Sequence, residues 1–116
     1  MPAYKAPLRD IRFLMNEVFD YTEHYKTIAA GQNADADTID MILEGAADFC
    51  ENILSPLNQS GDEEGCHFKD GEVTTPKGFK EAYDQFVQGG WQGLSYPEDF
   101  GGQGLPMSLN LVKSEM

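Results

Sequence analysis

The sequence predicts an all-α fold, organised as one helical domain over residues 1–116, with a short β-hairpin or polar segment near residues 60–74. Three observations support this prediction. Apolar residues recur at helical spacing in four separate segments, and the only hairpin signal is a single Asp-Gly pair. A chain of 116 residues is also long enough for one modest hydrophobic core and too short for two.

Apolar stripes predict the first two helices. In residues 8–19 the stripe comprises Leu8, Ile11, Met15, Val18 and Phe19, widened by Phe13 and Leu14. In residues 39–54 it comprises Ile39, Ile42, Leu43, Ala46, Phe49, Cys50, Ile53 and Leu54. The second helix is expected to stop at Ser55, because the following Pro56 disfavours the helical conformation in the residue before it.

A polar, acidic and turn-rich segment follows at residues 57–76. Within it, Asp70 and Gly71 stand between the short stretches CHFK and EVTT. An Asp-Gly pair favours the two-residue turn of a β-hairpin, so a small ribbon is predicted here. Gly61, in the same polar segment, is expected to have room for a side chain.

The third helix is expected to begin with Thr75 as its N-cap and Pro76 at its first helical position. Its apolar face comprises Phe79, Ala82, Tyr83, Phe86 and Val87. Paired glycines, Gly89 and Gly90, are expected to end it.

A fourth helix is predicted from Pro106 onward, because Leu105, Leu109, Val112 and Met116 recur at helical spacing. No glycine cap or basic last turn closes this pattern before the last residue. The chain is therefore expected to be a piece of a longer protein.

Charge and composition exclude several classes of function. Eight basic against twenty acidic side chains give a net charge of −12, and the basic residues are scattered singly. Nucleic acid and anionic membrane surfaces are unlikely partners for such a chain, since both need a positive patch. The two cysteines are too few for a disulfide framework, and no signal peptide or membrane span is evident, so a reducing, cytoplasmic location is expected.

An EF-hand-like spacing occurs in the stretch NADADTIDMILE. The candidate oxygen ligands are Asn33, Asp35, Asp37 and Glu44. Thr38 occupies the position where that loop needs glycine, and Asp40 occupies an ordinarily apolar one. The favoured interpretation is structural: Asp37 caps the second helix and Asp40 lies in its first turn.

Cysteine and histidine side chains offer a second candidate metal site. Its possible members are His24, Cys50, Cys66 and His67. Adjacent Cys66 and His67 lack the spacer that lets one loop wrap a tetrahedral zinc ion, and Cys50 lies on an apolar helix face. No metal is therefore expected, and packing among aromatic neighbours is favoured over catalysis for His24.

Residues 89–106, GGWQGLSYPEDFGGQGLP, contain six of the twelve glycines and the only tryptophan, Trp91. A helix is expected to end on the paired glycines. After it come an indole, a proline turn with two carboxylates, a Gly-Gly-x-Gly stretch and then the next helix. This order resembles the acyl-CoA dehydrogenase family, whose N-terminal helical domain carries G-l-x-x-P-E-x-[YF]-G-G-x-G between two helices. The matching residues are Gly93, Leu94, Pro97, Glu98, Phe100, Gly101, Gly102 and Gly104.

The resemblance extends over essentially the whole chain. The stretches YKAPLRDIRFLMNEVFDY, LNQSGDEEGC and DGEVTTPKGFKEAY are similar to the larger bacterial members of the family, of the 3-methylmercaptopropionyl-CoA dehydrogenase type. The resemblance implies an N-terminal helical domain followed by a middle β domain and a C-terminal α domain. It also implies a parent enzyme that binds FAD, forms the α,β double bond of an acyl-CoA and passes electrons to an acceptor.

The family's catalytic carboxylate and most of its flavin contacts belong to the later domains, so no catalytic, cofactor-binding or metal residue is expected here. The resemblance implies that the loop positions a wall of the acyl pocket, with Trp91 as a packing anchor; stacking of Trp91 on a ligand is the alternative. A homo-oligomer is expected. An acidic helical module that binds a protein partner without catalysis is the alternative function.

Overall fold

The computed structural model describes residues 3–116, and helices dominate it. The helices are α1 Leu8–Arg12, α2 Tyr21–Tyr25, α3 Ala36–Phe49, α4 Ser55–Glu64, α5 Phe79–Gln88 and α6 Met107–Glu115. The strands are β1 His67–Lys69 and β2 Glu72–Thr74, which form one antiparallel ribbon. The all-α class with a short hairpin is therefore confirmed.

The first predicted helix is present, but it changes geometry along its length. Helix α1 continues as a π-helical segment, Phe13–Val18, and the chain then turns at Asp20, which has a φ of 47°. The Asp20 carboxylate accepts a hydrogen bond from the N–H of Glu23 and so caps α2. This five-residue helix was not predicted, and it buries Tyr25 at 1% exposure.

The expected stop at Ser55 and Pro56 is wrong. Helix α3 continues through a π-helical segment, Cys50–Leu54, directly into α4. A π-helical turn pairs each N–H with the carbonyl five residues earlier, so the hydrogen-bonding pattern changes immediately before the proline. Pro56 follows this segment directly, at the second residue of α4.

Gly61 does not have the room expected of it. It lies in α4 rather than in a loop, and it is buried. A Cβ atom at this position would stand 2.5 Å from Cζ of the Phe79 ring, on the neighbouring helix α5. The glycine therefore leaves room for the Phe79 ring against α4.

Two predicted helix starts are also corrected. Asp35, and not Asp37, caps α3, because its carboxylate accepts the N–H of Thr38 at 2.7 Å. The same hydrogen bond lowers the pKa of Asp35, since it stabilises the charged form. Helix α5 begins at Phe79, after Gly78 with a φ of 89°, and not at the predicted Thr75-Pro76 start.

The hairpin turn is confirmed at Asp70 and Gly71. Both residues have positive φ, 52° and 82°, as the mirror-image turns of two-residue hairpins require. Glu64 holds the base of the ribbon: its carboxylate contacts Nε2 of His67 at 3.0 Å and accepts the N–H of Lys77 at 2.9 Å. These two contacts, with the His67 contact dominant, lower the pKa of Glu64.

The core lies between the N-terminal helices, α3, the glycine loop and α6. Its buried members are Ile11, Met15, Tyr25, Ala34, Ile39, Ile42, Leu43, Leu94, Leu105 and Leu109. The molecule measures 55 × 37 × 16 Å, with a radius of gyration of 16.9 Å against about 13 Å for a compact domain of this length. Its smallest dimension is less than half of either of the other two, so the molecule is a flat helical slab. No helix among residues 3–116 has the length and apolarity to cross a bilayer.

Candidate functional site

The glycine loop, residues 89–106, reverses the chain between α5 and α6. Gly90 ends α5 with a φ of 73°, and a 3-10 turn, Trp91–Gly93, follows at once. A second 3-10 turn, Glu98–Phe100, starts after Pro97 and ends at Gly101, whose φ is 81°. Glycine adopts positive φ at lower cost than any other residue, so the path of the chain favours glycine at positions 90 and 101.

Backbone hydrogen bonds join the two arms of the loop. The N–H of Gln103 donates to the carbonyl of Gly93, and the N–H of Leu105 donates to that of Leu94, both at 2.9 Å. The N–H of Gly104 donates to the carbonyl of Tyr96, also at 2.9 Å. The loop is thus a closed, internally bonded unit.

These hydrogen bonds determine whether the loop could bind a phosphate group. Every backbone N–H from residue 100 to residue 105 donates to a carbonyl inside the loop. A loop that cradles phosphate needs several N–H groups free to point at the anion. The neighbouring carboxylates of Glu98 and Asp99 would also repel one. The N–H groups of residues 100–105 are therefore not free to bind the diphosphate of a dinucleotide such as FAD.

Close packing explains the paired glycines of the Gly-Gly-x-Gly stretch. A Cβ atom at Gly102 would stand 2.1 Å from the carbonyl oxygen of Tyr96, so any side chain there collides with backbone. At Gly101 a Cβ atom would meet open space, and only the positive φ favours glycine. Gly104 combines both constraints more mildly, with a φ of 64° and the Glu98 side chain at 3.3 Å. The glycines therefore serve backbone geometry.

The inner side of the loop is part of the core. Leu94 and Leu105 are 1% and 6% exposed, and Leu109 of α6 is fully buried beside them. Trp91 is half-buried, with its ring against α3 near Gly45, where an added Cβ atom would stand 3.2 Å from the indole. This placement agrees with the packing interpretation of Trp91.

Trp91 also lines a shallow groove of about 270 Å³ between α3, α5 and α6, together with Phe49, Cys50, Phe86 and Lys113. Nζ of Lys113 lies 5.5 Å from the centre of the Phe86 ring, within the range of a cation–π contact. Burial raises the pKa of the Cys50 thiol, which Lys113 only partly offsets. A thiol with a raised pKa holds less of the reactive thiolate at neutral pH, and Cys50 packs in this groove beside Phe49 and Phe86.

Four large apolar side chains of the glycine loop and α6 are exposed among residues 3–116. They are Tyr96, Phe100, Met107 and Leu111, at 55%, 86%, 57% and 63% exposure. The hydroxyl of Ser95 contacts the Met107 sulfur at 3.6 Å, which holds the loop beside α6. We call these four side chains the outer face.

Two of the four candidate calcium ligands have other roles in the structure. Asp35 caps α3, and Glu44 pairs with Arg12, which also pairs with Asp40 at 2.7 Å. The two histidines among the candidate zinc ligands have other contacts: His67 pairs with Glu64, and His24 packs beside the aromatic rings of α2. Within residues 3–116 no three acidic, histidine or cysteine side chains are grouped as metal ligands.

Sequence analysis did not single out the outer face. Phe100 entered it only as the aromatic position of the loop pattern, and its 86% exposure is visible only in the structure. Met107 and Leu111 lie four residues apart on the side of α6 opposite Leu109. A second apolar stripe on one helix is the sequence signal that could have revealed this face.

No protein-family model matches the chain. The chain is 36% identical over 113 residues to 3-methylmercaptopropionyl-CoA dehydrogenase of Ruegeria pomeroyi, and the aligned region covers 97% of the chain and 19% of that protein. It is 32% identical over 90 residues to butyryl-CoA dehydrogenase of Syntrophomonas wolfei, which covers 75% of the chain and 15% of that protein. The chain thus spans less than a fifth of the length of these relatives. The two similarities, together with a helical slab that carries the glycine loop between α5 and α6, confirm the predicted resemblance: the chain belongs to the acyl-CoA dehydrogenase family.

Proposed function

We propose that residues 1–116 are the N-terminal helical domain of an FAD-dependent acyl-CoA dehydrogenase. The observation that carries the proposal is the 36% identity to 3-methylmercaptopropionyl-CoA dehydrogenase along 97% of the chain. The parent enzyme would form the α,β double bond of an acyl-CoA, with FAD accepting the two hydrogens, and would pass the electrons to an acceptor. Its place would be in the metabolism of fatty or short thioether acyl groups.

The 116-residue chain by itself is proposed to be inactive and free of flavin. Residues 100–105 of the glycine loop donate all of their N–H groups to carbonyls within the loop, so this stretch offers no cradle for the phosphates of FAD. Removal of an α proton needs a carboxylate that a substrate can reach in a site shielded from water. The carboxylates of Glu98 and Asp99 lie on an exposed loop instead. Chemistry and cofactor therefore belong, in this proposal, to the remaining polypeptide.

The contribution of this chain would be structural: it packs on the other domains and helps to shape the acyl pocket. Its accessible surface is 8041 Å², whereas a compact protein of 12.9 kDa exposes about 6,300 Å². The excess of about 1,700 Å² exceeds the roughly 800 Å² that one partner buries in a standard interface. Such an excess of accessible surface is typical of a domain that buries part of its surface in interfaces with other domains.

A homo-oligomeric parent in the cytoplasm completes the proposal. The cysteines support the proposed cytoplasmic location: Cys50 is half-buried, Cys66 is exposed, and both are free thiols. Free thiols persist where the environment is reducing. The broad faces of the slab are compatible with subunit contacts as well as domain contacts.

The test is to express the full-length gene product and the 116-residue chain in parallel. The full-length protein should show flavin absorbance and should reduce an artificial electron acceptor with 3-methylthiopropionyl-CoA or butyryl-CoA, while the short chain should do neither. A colourless full-length protein that FAD cannot reconstitute would refute the dehydrogenase proposal. A yellow 116-residue chain would refute the assignment of the cofactor to the other domains, and a gene product that ends at Met116 would favour the interaction-module alternative.

A further inference from the structure

The turn of the hairpin is the one Asp-Gly pair in the sequence, Asp70 and Gly71. Both residues are exposed, as are all the residues of β1 and β2. A Cβ atom added at Gly71 would meet nothing within 4 Å among residues 3–116, so open space surrounds the turn. In the same part of the chain, the N–H of Gly71 donates to no acceptor. The Asp70 carboxyl group and the Gly71 nitrogen are therefore both accessible to each other and to water.

The backbone angles identify the type of turn. Asp70 has a φ of 52° and Gly71 a φ of 82°. These values lie close to the roughly 60° and 90° of a type I′ turn, in which ψ of the first central residue is about 30°. At that ψ the Gly71 nitrogen lies on the side of the Asp70 main chain that faces away from Cβ. The observed turn therefore keeps the nitrogen away from the carboxyl carbon.

A single peptide flip brings the two groups together. Rotation of the peptide between Asp70 and Gly71 converts a type I′ turn into a type II′ turn, in which ψ of the first central residue is about −120°. This rotation carries the Gly71 nitrogen over Cβ of Asp70. Both turn types fit a two-residue hairpin, so the pairing of Lys69 with Glu72 is kept during the flip. The flipped turn suits glycine at its first central position, so Asp70 adopts it only as a strained, minor conformation.

We propose that Asp70 is a site of spontaneous isomerisation to isoaspartate. In the flipped turn the Gly71 nitrogen attacks Cγ of Asp70 and forms a C–N bond. The N–H hydrogen and the hydroxyl of the protonated carboxyl group leave as water, which gives a five-membered succinimide ring. Water then opens the ring: attack at the main-chain carbonyl of Asp70 gives isoaspartate, and attack at Cγ restores aspartate. The reaction needs no oxidant, cofactor or enzyme.

Asp70 is set apart from the other aspartates of the chain. Every other aspartate is followed by a residue with a side chain, which crowds the attacking nitrogen. Asp99 is the matched comparison, because it is also exposed and lies in a loop. The nitrogen that follows it is that of Phe100, whose N–H donates to the carbonyl of Pro97 at 3.0 Å. Isomerisation is therefore expected at position 70 and not at position 99.

Isomerisation would change the shape of the hairpin, because isoaspartate places Cβ in the main chain. A turn that is one atom longer no longer matches a two-residue hairpin, whose register pairs Phe68 with Val73. The charge stays the same, since the α-carboxylate replaces the side-chain carboxylate. This inference goes beyond the proposed function and holds whether or not the full-length protein oxidises acyl-CoA.

The experiment incubates the full-length protein at physiological temperature and neutral pH. Electron-transfer mass spectrometry, which detects the extra main-chain carbon of isoaspartate, follows positions 70 and 99. Isoaspartate should accumulate at position 70 only, and about tenfold more slowly than in the same protein unfolded in guanidinium chloride, because the flip is strained. No isoaspartate at position 70 of the folded protein, equal accumulation at position 99, or equal rates in the folded and unfolded protein would overturn the inference.

Two variants identify the attacking and attacked groups. Asp70→Asn keeps a favoured Asn-Gly turn, and the same attack then releases ammonia, so aspartate and isoaspartate should appear at position 70 faster than in the unsubstituted protein. Asp70→Glu would require a six-membered ring and should give no isomer. In the isomerised fraction, the N–H groups of Lys69 and Glu72 should exchange faster with deuterium, because their pairing flanks the altered turn. An Asp70→Asn protein that keeps its asparagine under the same conditions would contradict the proposal.

Discussion

Gly102→Ala tests whether the glycine loop depends on close backbone packing. The added methyl carbon would stand 2.1 Å from the carbonyl oxygen of Tyr96 and 2.4 Å from its carbonyl carbon. Real contacts of this kind need more than 3 Å, so one arm of the loop has to move by about 1 Å. The same Tyr96 carbonyl accepts the N–H of Gly104, and the N–H of Gly102 donates to Pro97. The movement therefore strains two hydrogen bonds at once.

The expected loss of stability follows from these contacts. Two weakened loop hydrogen bonds account for about 1–3 kcal/mol. Partial uncovering of Leu94 and Leu105, which are nearly completely buried, adds about 1 kcal/mol. The sum, about 2–4 kcal/mol, is a large share of the total stability of a chain of this length, about 6–17 kcal/mol. It corresponds to a fall in Tm of roughly 10 °C.

Two alanine substitutions in the same loop serve as controls, with thermal and urea unfolding as the assays. Gly101→Ala meets open space and loses only its φ of 81°, so it should cost about 1 kcal/mol. Gly93→Ala would make an ordinary contact of 3.5 Å with Gly102 Cα and should change the unfolding free energy by less than about 0.5 kcal/mol. The expected order of destabilisation is Gly102, then Gly101, then Gly93. A Gly102→Ala chain as stable as the Gly93→Ala chain would refute the close-packing argument.

Three further predictions concern the rest of the chain. Lys5 and a backbone N–H lower the pKa of Glu51, so this carboxyl group binds a proton less readily in the folded chain than in the unfolded chain. Glu51→Gln should therefore lower Tm above about pH 4.5, and the difference should disappear as the pH falls through the folded pKa. A pH series of thermal melts measures this. Tyr25→Phe should cost about 1 kcal/mol in urea unfolding, because the buried phenol loses its hydrogen bond with Ser108. Calcium or zinc should leave Tm unchanged, whereas a metal at 100 times its Kd would stabilise by about 2.7 kcal/mol.

The helices with long apolar stripes were predictable because their pattern is local. The stripes at residues 8–19 and 39–54 and the face of α5 all correspond to observed helix. The hairpin was predictable for a similar reason, since an Asp-Gly turn depends on the φ preferences of two residues. The loop pattern likewise indicated the family from its residue order, and the similarities to two dehydrogenases confirmed it.

Helix boundaries were less predictable, because more than one nearby residue was suited to cap or end a helix. Asp35 and Asp37 are equally good caps by residue type, and the path of the chain before α3 selected Asp35. Pro56 ordinarily ends a helix, but the π-helical segment before it allowed α3 to continue into α4. Residues 57–64 belong to α4, where Phe79 of α5 lies over Gly61, a tertiary contact that the sequence pattern did not indicate.

The sequence alone determined the fold class, the hairpin turn and the family, because periodicity, turn chemistry and residue order are written along the chain. Only the tertiary structure decided which apolar residues became core and which became the outer face. Leu109 and Leu111 are chemically identical and two positions apart in α6, yet one is fully buried and the other is 63% exposed. Burial depends on which side of a helix meets the rest of the molecule, and that contact exists only once α3, the glycine loop and α6 are packed together.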